Sequence, residues 1–112
     1  MWNSNQAYPK TGDIIARVSY YWPPYGGLNC HGDCTKMASG EYWADWIGRA
    51  AACPGEFPMF TEIIIKGHSW LCLDRGGAIK TENGISWIDL LTPVMPYGFQ
   101  FGAVINVPYK TP

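Results

Sequence analysis

Charge is scarce in this chain. Eight Lys and Arg stand against nine Asp and Glu in 112 residues, for a net charge of −1. No basic stripe calls for nucleic acid, and no acidic run suggests disorder. Histidine is scarcer still, with only His31 and His68. A cysteine nucleophile would therefore have few bases to activate it. No run of about 18 apolar residues occurs, so no membrane-spanning helix is expected. The first residues, MWNSNQAYPKTGD, contain no apolar core of the kind a secretory signal needs, so none is expected. Internal repeats and low-complexity tracts are also missing.

Glycine, proline and aromatics are plentiful: 13 Gly, 9 Pro, 6 Trp and 7 Tyr. That mixture predicts many short strands joined by turns. The length fits one domain, with residues 1–12 read as an N-terminal arm and 13–112 as the folded unit. Four cysteines form an even set, Cys30, Cys34, Cys53 and Cys72. In an oxidising compartment they predict two disulfides, and in a reducing one thiols or a metal site. Export without a signal of its own, as for a phage structural or lysis component, reconciles the cysteines with the missing leader.

Residues 13–22, DIIARVSYYW, are β-branched and aromatic and predict a first strand ended by Pro23-Pro24. The Gly-, Asn- and Asp-rich loop that follows contains Cys30-His31-Gly32-Asp33-Cys34. These residue types suit zinc, but a structural zinc site wants four ligands, usually as two pairs. The remaining candidates, Cys53, His68 and Cys72, are spread singly. A local Cys30–Cys34 disulfide is preferred, and no metal is assigned. In residues 41–52, EYWADWIGRAAA, the apolar positions partly fit helical spacing and predict one or two helical turns. Residues 57–66 and 69–74 predict a β-hairpin turning at Gly67-His68, with His68 an exposed turn residue. Further strands are expected at 85–91 and 103–109.

The most informative stretch is 72–90, CLDRGGAIKTENGISWIDL. Asp74 and Asp89 each lie in an apolar, strand-like run, and burying a carboxylate there is costly unless it has partners or a task. A buried Asp that only accepts turn N–H groups is the bland alternative. Gly76-Gly77 would let the backbone turn tightly and a ligand approach closely.

Taken together, these pieces resemble the three-aspartate domain, the small double-psi β-barrel of stationary-phase-survival type peptidoglycan enzymes. The catalytic barrel of membrane-bound lytic transglycosylase A is similar, and expansins and barwin are more distant relatives. The strongest likeness is Leu73-Asp74-Arg75-Gly76-Gly77-Ala78-Ile79-Lys80 followed by Ile88-Asp89-Leu90. Met37-Ala38-Ser39-Gly40 is similar to the family's Thr-Ala-Ser-Gly, and Phe57-Pro58-Met59-Phe60-Thr61 falls on its Ile-Pro-Leu-Gly-Thr. Ala51-Ala52-Cys53-Pro54 falls on its Ala-Val-Asp-Pro, so Cys53 stands where the first aspartate is expected. The segment 81–87 is longer than the family's loop between the second and third aspartates.

The resemblance implies a mainly β fold, a six-stranded double-psi barrel with one or two short helical turns. It implies peptidoglycan glycan strands as substrate, lytic transglycosylation as reaction, no cofactor, and a place in the cell envelope, outside the cell or on a virion. Asp89, flanked by Trp87, Ile88 and Leu90, is the expected general acid/base, and Asp74 its tuning or positioning neighbour. Ser39, Thr61, Gly76, Gly77, Lys80 and Trp87 are the expected substrate-binding residues. Tyr20, Tyr21, Trp22, Trp43 and Trp46 are further candidates for stacking on sugars, or for core packing. If Cys53 occupies the lost aspartate's place, a Cys53–Cys72 disulfide would staple the floor of the site. The alternative is a non-catalytic barrel, structural or glycan-binding, in a larger assembly that it could reach through its arm.

Overall fold

The computed structural model describes residues 10–25 and 34–112. Among these residues seven strands carry the fold: β1 (Thr11–Tyr21), β2 (Ala50–Ala52), β3 (Glu62–Ile65), β4 (His68–Asp74), β5 (Thr81–Glu82), β6 (Ile85–Leu91) and β7 (Ala103–Lys110). Six of them close into a ring in the order β1-β7-β3-β4-β2-β6, with β6 returning to β1. β5 hangs on β6 as a seventh, outer strand. The β1–β6 and β2–β4 pairs are parallel, and the other pairings are antiparallel. The small six-stranded barrel expected from the sequence is thus present. Among the described residues helix is confined to 3-10 turns at Pro23–Tyr25 and Trp43–Asp45, with an irregular one at Pro96–Gly98.

Period-two patterning decides what fills the ring. Ile14, Ala16 and Val18 of β1 and Ile88 and Leu90 of β6 point inward and are buried with Ile63, Ile65, Trp70 and Val107. Phe57 meets Tyr109 edge-on there, with ring centroids 5.7 Å apart. Cys53 and Cys72 join the same core as a disulfide with 5.6 Å between Cα atoms. This cross-link closes a loop of 19 residues, for which chain entropy predicts about 3 kcal/mol of stabilisation.

The opposite faces of the same strands carry a second, smaller cluster. Ala50, Leu71, Leu73 and Leu91 alternate with core residues, so they lie outside the ring. Met37, Trp43, Trp46, Tyr21 and Trp22 cover them. The segment 34–49 therefore acts as an external buttress, tied on by Ser39 N–H to the Leu73 carbonyl and Gly48 N–H to the Leu91 carbonyl.

Several local expectations change. The Ala-rich end of 41–52 is strand β2, not helix. Ala50, Ala51 and Ala52 are buried between β4 and β6, and that tertiary fit overrides alanine's helical preference. The hairpin between β3 and β4 turns at Lys66-Gly67, both with positive φ (53° and 75°). His68 consequently opens β4, where its ring meets the Gly48 carbonyl at 2.7 Å. Residues 57–61 form a loop in which Phe60 has φ 71°, and β3 begins only at Glu62. The longer 81–87 segment is a second tight hairpin, β5–β6, turning at Asn83-Gly84 with φ 53° and 76°. β1 begins at Thr11, two residues inside the expected arm, whose residues 1–9 lie outside the described set. Most of the Cys30–Cys34 string lies there as well; Cys34 itself is disulfide-bonded.

Candidate functional site

Strand register lines up four side chains across the outer face of the ring. Ser19 on β1 faces Asp89 on β6, Asp89 faces Ala52 on β2, and Ala52 faces Asp74 on β4. Asp89 belongs on the outer face by parity, since Ile88 and Leu90 point inward. Asp74 by simple alternation would share a face with the core residue Cys72. A register shift between Ala51 and Ala52, which pair with Cys72 and Asp74, makes Leu73 an extra residue on β4. Such a bulge re-aims the side chain that follows it. Both carboxylates therefore line one cleft, of about 230 Å³, while the disulfide stays in the barrel core.

Ala52 supplies only a methyl group between the two acids, which leaves the cleft open at that level. Its other walls are Tyr21, Trp87 and the turn Arg75–Ile79. Gly76 in that turn is required by packing, because a Cβ there would lie 2.8 Å from Ile79 Cγ1. The turn is closed by Ile79 N–H to the Gly76 carbonyl at 3.0 Å.

The two aspartates are held differently. Asp74 is buried and saturated. The N–H groups of Ala38 and Arg75 donate to its Oδ1, each at 2.9 Å, and the Tyr21 hydroxyl donates to Oδ2 at 2.9 Å. These three donors engage both of its oxygens. Burial, the Asp74 charge and the bond to it push the Tyr21 phenol far above its ordinary range, so it remains a donor. Arg75, also on the cleft wall, gives its guanidinium to the Cys53 and Phe57 carbonyls. Burial lowers its pKa, opposed by the charges of Asp74 and Glu56.

Asp89 has one donor. Ser19 Oγ gives its proton to Asp89 Oδ1 at 2.6 Å and in turn accepts Trp87 Nε1–H at 2.6 Å. Among the described residues nothing bonds the second oxygen, Oδ2. Burial raises the pKa of this carboxyl, the Ser19 bond partly opposes the rise, and the nearby Asp74 charge adds to it. A carboxyl so placed holds its proton to higher pH than an exposed one, and its second oxygen faces a cleft where a ligand could take that proton.

Of the residues anticipated from sequence, Asp74, Asp89, Gly76, Gly77 and Trp87 are brought together. Lys80 lines an adjoining recess that shares Ala78 and Trp87 with the cleft. Ser39 lies beside Ala38, half-buried, with its Oγ accepting the Glu41 N–H at 3.3 Å, and is not a lining residue. Thr61 lies apart, fully buried, its hydroxyl donating to the Pro58 carbonyl at 2.7 Å. Of the aromatic candidates only Tyr21 and Trp87 reach the cleft. Trp22, Trp43 and Trp46 pack in the outer cluster, and Tyr20 packs against the core and Phe101. Ser19 and Ala52 were not foreseen as site residues. The available signal for Ser19 was a polar residue in a strand-like run, which acquires meaning only once its parallel partner is known. Among the described residues no group of three or more His, Cys, Asp or Glu is placed to hold a metal. No protein-family model, curated protein or solved structure matches this chain.

Proposed function

We propose that the protein is a peptidoglycan lytic transglycosylase with Asp89 as its general acid/base. The observation that carries this reading is the contrast between the two acids. Asp74 has both oxygens engaged, whereas Asp89 has a raised pKa and one oxygen that no described residue bonds, in an open cleft. In the proposed step protonated Asp89 gives its proton to the glycosidic oxygen as the C1–O bond after N-acetylmuramic acid breaks. The muramyl 6-hydroxyl then bonds to C1 and returns its proton to the Asp89 carboxylate, closing a 1,6-anhydro ring. No water is consumed, so one carboxyl serves twice, unlike the two-carboxylate hydrolase scheme. The Asp74 charge would stabilise the cationic sugar that forms between the two events. Trp87 and the Gly76-Gly77 turn would hold the sugar. The Cys53–Cys72 disulfide supports a working place in the envelope, outside the cell or on a virion, where disulfides persist.

One observation favours a second reading. Cys53 stands where the resembling family carries the first of its three aspartates, and here it is sealed in a core disulfide. A barrel that binds glycan without cutting it, as a part of a virion or envelope assembly, is consistent with that loss. Mass spectrometry of digested sacculi separates the two. The enzyme reading expects anhydro-muropeptides from the wild type and none from Asp89→Asn. Folded wild-type protein that binds sacculi and releases no anhydro product would refute it in favour of the binding module.

A further inference from the structure

The acidic cleft continues into a second recess of opposite charge. Beyond Trp87 lies a hollow of about 370 Å³ lined by Arg17, Lys80, Glu82 and, at the turn of the β5–β6 hairpin, Asn83 and Ile85. The two hollows share Trp87 and Ala78 as a common wall. Register fixes the arrangement. Arg17 on β1 is the parallel partner of Trp87 on β6, and on the other side Trp87 N–H donates to the Lys80 carbonyl at 3.1 Å. One cationic residue therefore flanks the indole on each side. Neither the Arg17 guanidinium nor the Lys80 ammonium bonds any described residue, although Glu82 shares the recess. The indole is itself held by its bond to Ser19, so its face is a fixed platform. Asp89 follows Trp87 by two residues on the same strand face, an advance of about 6.6 Å. A ligand reaching from the acid to the cations must pass the indole.

We propose that this recess is a sugar subsite selecting a ring that carries a carboxylate. The ring would stack on Trp87 and the carboxylate would sit between Arg17 and Lys80. The inference rests on the glycan reading of the adjoining cleft and deepens it by naming the substituent recognised. On a muramyl residue that chemistry can come from the lactyl carboxylate itself or from the first acidic group of an attached peptide.

Binding of soluble fragments by the wild-type protein tests this without requiring cleavage. The probes are muramyl-containing oligosaccharides with a free lactyl carboxylate, their methyl esters, and the same glycans with peptides attached, titrated calorimetrically at low salt. The free acid should bind about three- to tenfold tighter than its ester, as two solvent-facing cations allow. The preference should shrink toward physiological ionic strength, about 0.15 M. It should fall to near unity in Arg17→Ala/Lys80→Ala and persist in the charge-keeping Arg17→Lys/Lys80→Arg. Tighter binding of the free lactyl form, or of the peptide-bearing form, identifies the source of the carboxylate. Equal affinity for acid and ester, or a preference that survives the double alanine variant, overturns the proposal. Acid-selective binding without anhydro product leaves this subsite standing and removes the transglycosylase reading, whereas failure to bind any glycan removes both.

Discussion

Replacing Ser19 with alanine removes one hydroxyl that serves two neighbours. It donates to Asp89 and accepts from the Trp87 indole, and it is almost fully buried. The cost should depend on pH. When Asp89 is ionised the lost bond is charge-assisted and contributes about 1.5–3 kcal/mol; when it is protonated the bond is neutral and contributes about 0.5–1.5 kcal/mol. The loss at Trp87 is common to both states. Ser19→Ala should therefore destabilise more at about pH 8 than at about pH 4, by roughly 1 kcal/mol. The sign agrees with linkage, since without the Ser19 bond the native carboxyl holds its proton to higher pH. Urea unfolding of wild type and variant at both pH values measures the difference, and in a domain of this size each kcal/mol moves the melting temperature by about 4 °C. In an Asp89→Asn background the cost of Ser19→Ala should lose its pH dependence. A cost that is the same at both pH values with Asp89 present would show that the hydroxyl does not govern this carboxyl.

Asp89→Asn should itself stabilise the fold near neutral pH while abolishing cleavage. Burial raises the native pKa above its ordinary 3.8, so the native state binds the extra proton in that window and wild-type stability falls as pH rises through it. The amide escapes this penalty, and thermal melts below and above the window should show the gain only above it. Asp74→Ala should cost about 2–4 kcal/mol, because it strands two backbone N–H groups and the Tyr21 hydroxyl; chemical denaturation reads the loss. Cys53→Ala/Cys72→Ala should lower stability by about 3 kcal/mol, and reductant should destabilise the wild type by about that much more than it destabilises the variant, which keeps only the Cys34 disulfide. Gly76→Ala should cost about 1–3 kcal/mol by overpacking against Ile79 Cγ1, and in an Ile79→Ala background, where that atom is gone, the added cost should largely vanish.

What sequence could reveal depended on how local the cause was. The strand Ile85–Leu91 and the approximate extents of β1 and β7 follow from β-branched residues, period-two patterning and flanking turn residues, all of which act over short range. The Cys53–Cys72 pairing became legible only through a family likeness that put both cysteines near one site. Ala50–Ala52 misled because alanine's local preference is helical, while its size was selected for a slot between β4 and β6. Asp74 and Asp89 were recognisable as costly acids, but their common face depends on the bulge at Leu73. Ser19 lies 70 residues from the carboxyl it holds, and nothing in its own neighbourhood names that partner.

The way the ring closes also orders its assembly in time. β3 and β4 are joined by a two-residue turn and can pair as soon as they exist. Among the described strands β1 pairs with β6 and β7, so its inward residues Ile14, Ala16 and Val18 gain these partners only when the chain beyond residue 85 is present. Nucleation should therefore begin at the β3–β4 hairpin, with β1, synthesised before the other six described strands, among the last to be seated. Closing so long a loop is slow, and an unpaired apolar strand waiting through that interval is an invitation to aggregate. Expression of this barrel should be more sensitive to conditions that delay the final β1 pairing than to those that weaken the central hairpin.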